Sequence, residues 1–423
     1  MSDSETISRR EFLGTATAAA AALPALGQSA DRSIVFRVNN CPVHDGQLRH
    51  VGVDALLSSL SGNGMKFYKT ARQGPLNGAA GLIAADDVVV LKVNAQWKCR
   101  GGTNTDMLRG LIHRILQHPD GFQGEVVIFE NGQNRPAAFD GMHNDGNKTE
   151  YRPFPELQGK VKVNAEEEDL LTIDHLTSKV FAGKPVSSFL MDPFSAVFLA
   201  GGDHKNNGYR RTGEPGTPCV SYPCFTTPRG NRIEWKEGRW TGSGYAQNLK
   251  LIHCAVLKDH SGDIGMTGAL KIVYGTLSMS DGTSARRHYA DLGSQCAKMW
   301  TEVRPADLNI LDCIWVSFGS MTVANEHVSG CIGYPPRLTS RENILLAGID
   351  PLALDYHANK HILLPLGGES AAAHDPDRNP RLVSVYQQAQ EIINSAGGIR
   401  GQRAHLGDEH IRVIATDAQE QTA

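Results

Sequence analysis

Short runs of branched apolar residues alternate along this chain with longer segments in which apolar and polar positions mix. Ser33–Asn39 (SIVFRVN), Asp87–Val93 (DVVVLKV) and Glu125–Phe129 (EVVIF) are too short and too β-branched for helices and read as strands. Val53–Leu60 reads as a short helix stopped by the Gly62-Asn63-Gly64 turn, and Asp106–Gln117 as a second helix opened by Gly101-Gly102-Thr103-Asn104-Thr105. Leu249–Leu257, Leu308–Val316, Asn343–Ala347 and Ile411–Ala415 extend the strand series. Glu166–Phe181, a segment opened by Arg286, Arg287 and His288, the residues after Asp350-Pro351, and Pro380–Ser395 extend the helices. Apolar runs without alternation are buried on both faces, as strands of a parallel sheet are. The pattern predicts an α/β fold: a mainly parallel sheet of βαβ units flanked by helices.

Between 201 and 247 the rhythm breaks. Gly, Pro and aromatic residues dominate, and Arg232–Trp235 and Arg239–Thr241 flank Lys236-Glu237-Gly238 as a hairpin does. This stretch reads as a long Gly/Pro-rich loop with a hairpin insert. A loop of that length is usually a lid or a binding element. His204 and Lys205 within it read as solvated loop residues.

The first thirty residues do not join the pattern. Arg9-Arg10 is followed by Phe12-Leu13, then by the Ala-rich, weakly apolar stretch Thr15–Leu26 and small residues up to Ala30. This resembles a twin-arginine export signal, which places the mature protein in the periplasm or another extracytoplasmic space and makes the twin-arginine translocation machinery a partner. No other segment has the run of about eighteen apolar residues that a membrane span needs. The expected layout is a signal over 1–30, one α/β domain over 31–415 and a disordered tail over 416–423.

Length and composition add bounds. The 423 residues are 40% hydrophobic and 21% charged, as in an ordinary globular protein, and the net charge of −3 argues against a nucleic-acid partner. None of the eight cysteines has CxxC spacing, which removes the usual ligand pattern of an iron–sulfur cluster or zinc ribbon. Cys219 and Cys224 lie in a Pro-rich loop; a disulfide between them is one reading, and spacing does not decide it.

Ionisable residues gather where apolar strands stop. Lys258-Asp259-His260 follow Leu249–Leu257. The Gly-rich loop Ser261–Gly268 leads to Lys271, and Arg286, Arg287 and His288 come soon after. Positions just beyond the carboxyl ends of parallel strands are where ligands sit in open α/β sheets. Lys92 lies inside VVVLKV, where an unpartnered ammonium is costly, and shares a face with Asn94. Asp312 interrupts LNILDCIWV in the same way. The Gly101-Gly102 turn before a Thr or Asn cap exposes backbone N–H groups to an anion. Asp350 reads as a helix cap with Pro351 behind it, and Asp355 follows on that helix. His357 and His361, four apart, share a helix face; an exposed face is the preferred reading over a metal site.

VLKVN around Lys92, VLKDH at 256–260, TGALK at 267–271, NILD at 309–312 and AGIDPLALD at 347–355 resemble the DUF362 family, a domain of unknown function. The family's TGALKN reads TGALKI here, with Ile272 in place of the amide. Some relatives carry a ferredoxin-like cysteine cluster, and its absence here removes iron–sulfur electron transfer. A more remote resemblance links His260, the Gly-rich loop, Lys271 and His288 to the lactate racemase family. It implies that Lys271 holds a nickel-pincer nucleotide, that His260 is an acid/base and that His288 is a metal ligand.

Together these residues predict an enzyme of isomerase/racemase or oxidoreductase type acting on a small anion by proton or hydride transfer. His260, Lys271, Lys258 and Asp312 are the expected catalytic group, and Lys92, Asn94, Thr267 and Arg287 the anion contacts. His288 and Asp350 are the expected ligands of a divalent metal or nickel-pincer-like cofactor. A binding protein using the same lysines, and an envelope assembly partner using the 201–247 insert, are the rival readings.

Overall fold

The structure is a computed structural model and describes residues 32–42, 48–95, 98–131, 142–143, 152–153, 163–166, 171–214, 219–260, 264–278, 291–319, 333–334 and 338–418. One sheet of nine strands organises it: β1 (Ser33–Asn39), β2 (Val88–Val93), β3 (Glu125–Glu130), β4 (Val186–Leu190), β5 (Leu249–His260), β6 (Gly265–Thr267), β7 (Leu308–Ser317), β8 (Thr339–Gly348) and β9 (Ile411–Asp417). The order is β9-β1-β8-β7-β5-β2-β3-β4, with β6 paired to the end of β5. β7, β5, β2, β3 and β4 are mutually parallel, and β9 is parallel to β1. β8 is antiparallel to both its neighbours. Every long strand except β8 therefore ends at the same edge. The fold is α/β with a mainly parallel sheet, as the apolar runs predict.

Helices cover the faces. Those that matter for the site are α1 (Val51–Gly62), α2 (Thr105–Leu116), α3 (Leu292–Lys298), α4 (Pro351–Ala358) and α5 (Pro380–Ser395). Their starts follow local chemistry. Asn104 Oδ1 accepts from Met107 N, Asp350 Oδ1 from Leu352 N and Asn379 Oδ1 from Arg381 N, and Pro351 and Pro380 take first positions where no N–H is needed. α1 begins at Val51, two residues before the expected start, because His50 caps it by accepting from Val53 N through Nδ1, an unusual cap with no simple sequence signature. Gly397 and Gly398, at φ of 90° and 85°, turn the chain after α5 in a conformation that side-chain-bearing residues avoid.

Four expectations change. Glu166–Phe181 is not one helix: Ile173–His175 opens a short helix that continues as a π-turn to Val180, while the Glu166 amide is drawn to Asp106 Oδ2 at 2.7 Å. The 201–247 insert holds an antiparallel five-stranded sheet over Gly208–Arg211, Ser221–Thr226, Arg232–Glu234, Gly238–Trp240 and Tyr245–Ala246, which contains the expected hairpin. Its Phe225 and Trp235 pack on Phe129 of β3. Cys219 and Cys224 are both free, buried thiols. β9 runs through Asp417, so the strand includes the start of the expected tail. Residues 1–30 lie outside the described residues. No helix among the described residues is long and apolar enough to cross a membrane.

Candidate functional site

β2, β3, β5 and β7 are neighbours, and each brings an ionisable residue into the buried interior on the way to the shared carboxyl edge. Lys92 is fully buried one residue before the end of β2. Its Nζ donates to Glu130 Oε1 at 2.7 Å and to Val93 O at 2.5 Å. The Glu130 carboxylate also accepts from Asn131 N at 2.9 Å and Ala95 N at 2.6 Å. Burial pulls the Lys92 ammonium down and pushes the Glu130 carboxyl up, and each charge opposes the other's shift. Gly275 closes over the pair: a Cβ there would lie 2.8 Å from both Lys92 Nζ and Glu130 Oε1. Lys92, read from the sequence as an anion contact, thus has an internal anion.

Asn94 and Asp312 also serve the frame. Asn94 Oδ1 accepts from Val256 N at 3.0 Å, and its own N donates to Thr103 Oγ1, splicing β2 to β5 where their ladder ends. The start of α2, read as an anion site, is filled from within. Asp312 Oδ2 accepts from Asn104 N at 2.8 Å and Asn164 Nδ2 at 3.2 Å, and Oδ1 from Ile314 N at 3.0 Å. Burial pushes the Asp312 carboxyl up to about 7, against the pull of these N–H donors.

The remaining residues form a second group around the end of β5. Here the strand runs three residues further than its apolar run, because β6 folds back and pairs Lys258 with Thr267 and His260 with Gly265. Lys258, His260, Thr267 and Lys271 are all buried. Lys258 Nζ donates to Gly101 O at 2.5 Å. Burial first, and then the Lys271 charge, pull Lys258 down to about 7. Lys271 opens a 3₁₀ turn, Lys271–Thr276, and its Nζ lies 3.3 Å from His260 Nδ1.

What aims Lys271 is Asp355 of α4. Its carboxylate accepts from Ala269 N at 2.6 Å and Leu270 N at 2.9 Å. A Cβ on Gly268 would sit 2.3 Å from Asp355 Oδ1, so only glycine allows this approach. At the start of β6, His374 Nδ1 is 2.8 Å from Gly265 O and its Nε2 is 3.6 Å from Asp259 Oδ1. Asp355 is recognisable in the sequence only as a residue of the helix after Asp350, and nothing local marks these roles for Glu130 or His374. A carboxylate at a strand end was the one available signal for Glu130. His253 likewise carries no local mark. It pairs in register with Lys92, lies edge-on to Trp300 at 5.1 Å, and burial holds it neutral by pulling it down to about 3.

Other expected residues lie elsewhere. β8 runs antiparallel, so Asp350, which follows it, sits at the opposite edge of the sheet. There Asp350 accepts from Ser33 Oγ, His405 N and Leu352 N and caps α4. Arg287 and His288 lie outside the described residues. His357 lies 3.4 Å from Arg37 through Nε2, and His361 pairs with Asp408. Among the described residues no group of three His, Cys, Asp or Glu could hold a metal. His204 belongs to the insert, where it stacks on Trp240 at 3.9 Å and meets Glu234 at 2.5 Å.

Fold and site thus define an α/β protein with a buried Lys/His group at the carboxyl edge of its parallel strands. Residues 223–360 match the family described as a domain of unknown function, DUF362, which supports that family for this chain. The matched span holds Lys258, His260, Lys271, Asp312 and Asp355, whereas Lys92 and Glu130 precede it. No curated protein and no solved structure matches the chain.

Proposed function

We propose that this chain is an enzyme that binds a small anion beside Lys258 and Lys271 and moves a proton at His260. The observation that carries the reading is the approach of Lys271 Nζ to His260 Nδ1 at 3.3 Å, in the same buried group as Lys258. Two amines in one desolvated place repel each other, and an anion between them relieves that repulsion. The same charges stabilise negative charge that develops on a bound substrate as a proton leaves. Imidazole is the side chain suited to take that proton near neutral pH. The lactate racemase resemblance rests on Lys271, His260 and His288. The first two stand together, His288 lies outside the described residues, and no step here is routed through a metal or a nickel-pincer-like nucleotide.

The test is proton exchange into small carbon acids in D2O, followed by NMR alongside calorimetric binding. The expected result is binding and C–H exchange by the wild type, loss of binding in Lys271→Met, and retained binding without exchange in His260→Gln. Binding with no exchange in any variant would make this an anion-binding protein.

The reading includes export. Arg9-Arg10 and the Ala-rich stretch after them support a twin-arginine signal. Expressed in a bacterium with that pathway, the full chain is expected in the periplasm, shortened by its signal. The Arg9→Lys/Arg10→Lys double variant is expected to stay in the cytoplasm at full length. Equal export of both chains would rule out this route.

A further inference from the structure

We infer that the 201–247 insert carries a second reactive centre, at which His204 Nε2 takes up the phosphoryl group of a small phosphoryl donor. This centre is separate from the Lys258 group and does not rest on the anion reading.

Glu234 ends the Arg232–Glu234 strand of the insert sheet, and its side chain is fully buried. It collects the donors around it. Oε2 accepts from Arg210 NH1 and from Tyr245 OH, both at 2.6 Å, and Oε1 meets His204 Nδ1 at 2.5 Å. A carboxylate paired with arginine accepts and does not donate, so Nδ1 is the N–H of the ring and Nε2 carries the lone pair. The ring is held flat on Trp240, with centroids 3.9 Å and planes 10° apart, and Tyr245 stands edge-on to it. Nε2 has no hydrogen-bond partner among the described residues, and the side chain is 23% exposed. An imidazole oriented by a carboxylate at one nitrogen and open at the other is set up as a nucleophile.

The surrounding charge selects the electrophile. Arg210 NH2 donates to Asp203 O at 2.9 Å and Arg232 NH1 to Asn206 O at 2.8 Å, so two guanidinium groups clamp the loop that carries His204. Nε of each is buried without a hydrogen-bond acceptor among the described residues. Lys205 adds a third cation, against the carboxylates of Glu234 and Asp203, and the Asp203 carboxylate is engaged by the amides of Lys205 and Asn206. Cations outnumber carboxylates here, which favours an anionic electrophile over a metal cation. In the step, the Nε2 lone pair attacks phosphorus. A P–N bond to the ring forms as the bond to the leaving group breaks, and that group departs with the electron pair. The positive charge that develops on the ring faces Glu234. Water then attacks phosphorus and gives up a proton to solvent, the P–N bond breaks, and the lone pair returns to Nε2. Nothing is oxidised or reduced.

The experiment treats the full chain with phosphoramidate, whose leaving group is ammonia, and reads the product by phosphorus NMR and peptide mass spectrometry. The expected product is the Nε2 phosphohistidine on the peptide carrying His204, lost in acid and kept in alkali. His361 is the internal control: it is 40% exposed and pairs at 2.8 Å with Asp408, itself 45% exposed. It should react at least about tenfold more slowly, because a charge pair in water is far weaker than one at a buried carboxylate. Inorganic phosphate should slow the reaction of His204 and leave that of His361 unchanged. His204→Gln should remove the label, and Glu234→Gln should slow it at least about tenfold, as the ring loses its orienting charge. The comparison of two histidines in the wild type needs no variant, so a misfolded Glu234→Gln chain does not remove the test. Labelling that follows exposure, with His361 level with His204 or ahead of it, would overturn the inference. So would an Nδ1 product at His204, or protection by phosphate with no covalent label.

Discussion

Glu130→Ala is expected to destabilise the protein by ~3–5 kcal/mol, the usual effect of leaving a buried charge without its partner. Lys92 is fully buried and its ammonium would lose the Oε1 acceptor at 2.7 Å, while Ala95 N and Asn131 N would lose theirs. The pair itself is a different matter. Desolvation opposes both charges, as the lowered Lys92 and raised Glu130 show. A Lys92→Met/Glu130→Gln double variant removes both charges and keeps an amide oxygen for one of the two backbone donors. It is expected to recover part of the loss. Urea denaturation of wild type, single and double variants measures this. A single-variant cost below ~1 kcal/mol would mean that water or another group reaches the ammonium.

Anion affinity is expected to fall as pH rises through 7, by roughly tenfold per pH unit above that point. The group responsible is Lys258, held at about 7 by burial and by Lys271. A bound anion needs the ammonium, so binding in this range takes up a proton. Calorimetry in two buffers of different ionisation enthalpy should show that uptake, and a flat profile in both would remove Lys258 from the anion site. Stability carries the matching sign. Between about 7 and the ordinary lysine value of 10.5 the unfolded chain binds a proton that folded Lys258 does not, so its contribution improves with rising pH. Asp312 and Asp355 act oppositely over a lower range. Both stand at about 7 against an ordinary 3.8, so stability that they supply in acid is lost as pH rises through 7.

Much of the frame is legible in local sequence. VVVLKV and EVVIF lack polar alternation because helices cover both faces of a parallel strand, and those runs alone predict β2 and β3. Asn104, Asp350-Pro351 and Asn379-Pro380 mark helix starts because a cap acts on amides two or three residues away. Lys258, His260 and Lys271 were legible as a group, since they lie within fourteen residues (258 to 271) of one strand–turn–turn unit.

Partners distant in sequence were not. Glu130 reaches Lys92 across 38 positions, Asp355 holds Ala269 across 86, and Asp312 fills the start of α2 across 208. Asp350, read as a helix cap and as a metal ligand, does cap its helix, but the strand before it is the antiparallel one and delivers it to the far edge. Periodicity and capping report on contacts within a few residues. The sequence by itself therefore determined which segments are strands and helices and which residues carry reactive groups. Strand order and direction, set by packing over the whole sheet, alone decided which buried charges meet and which cancel.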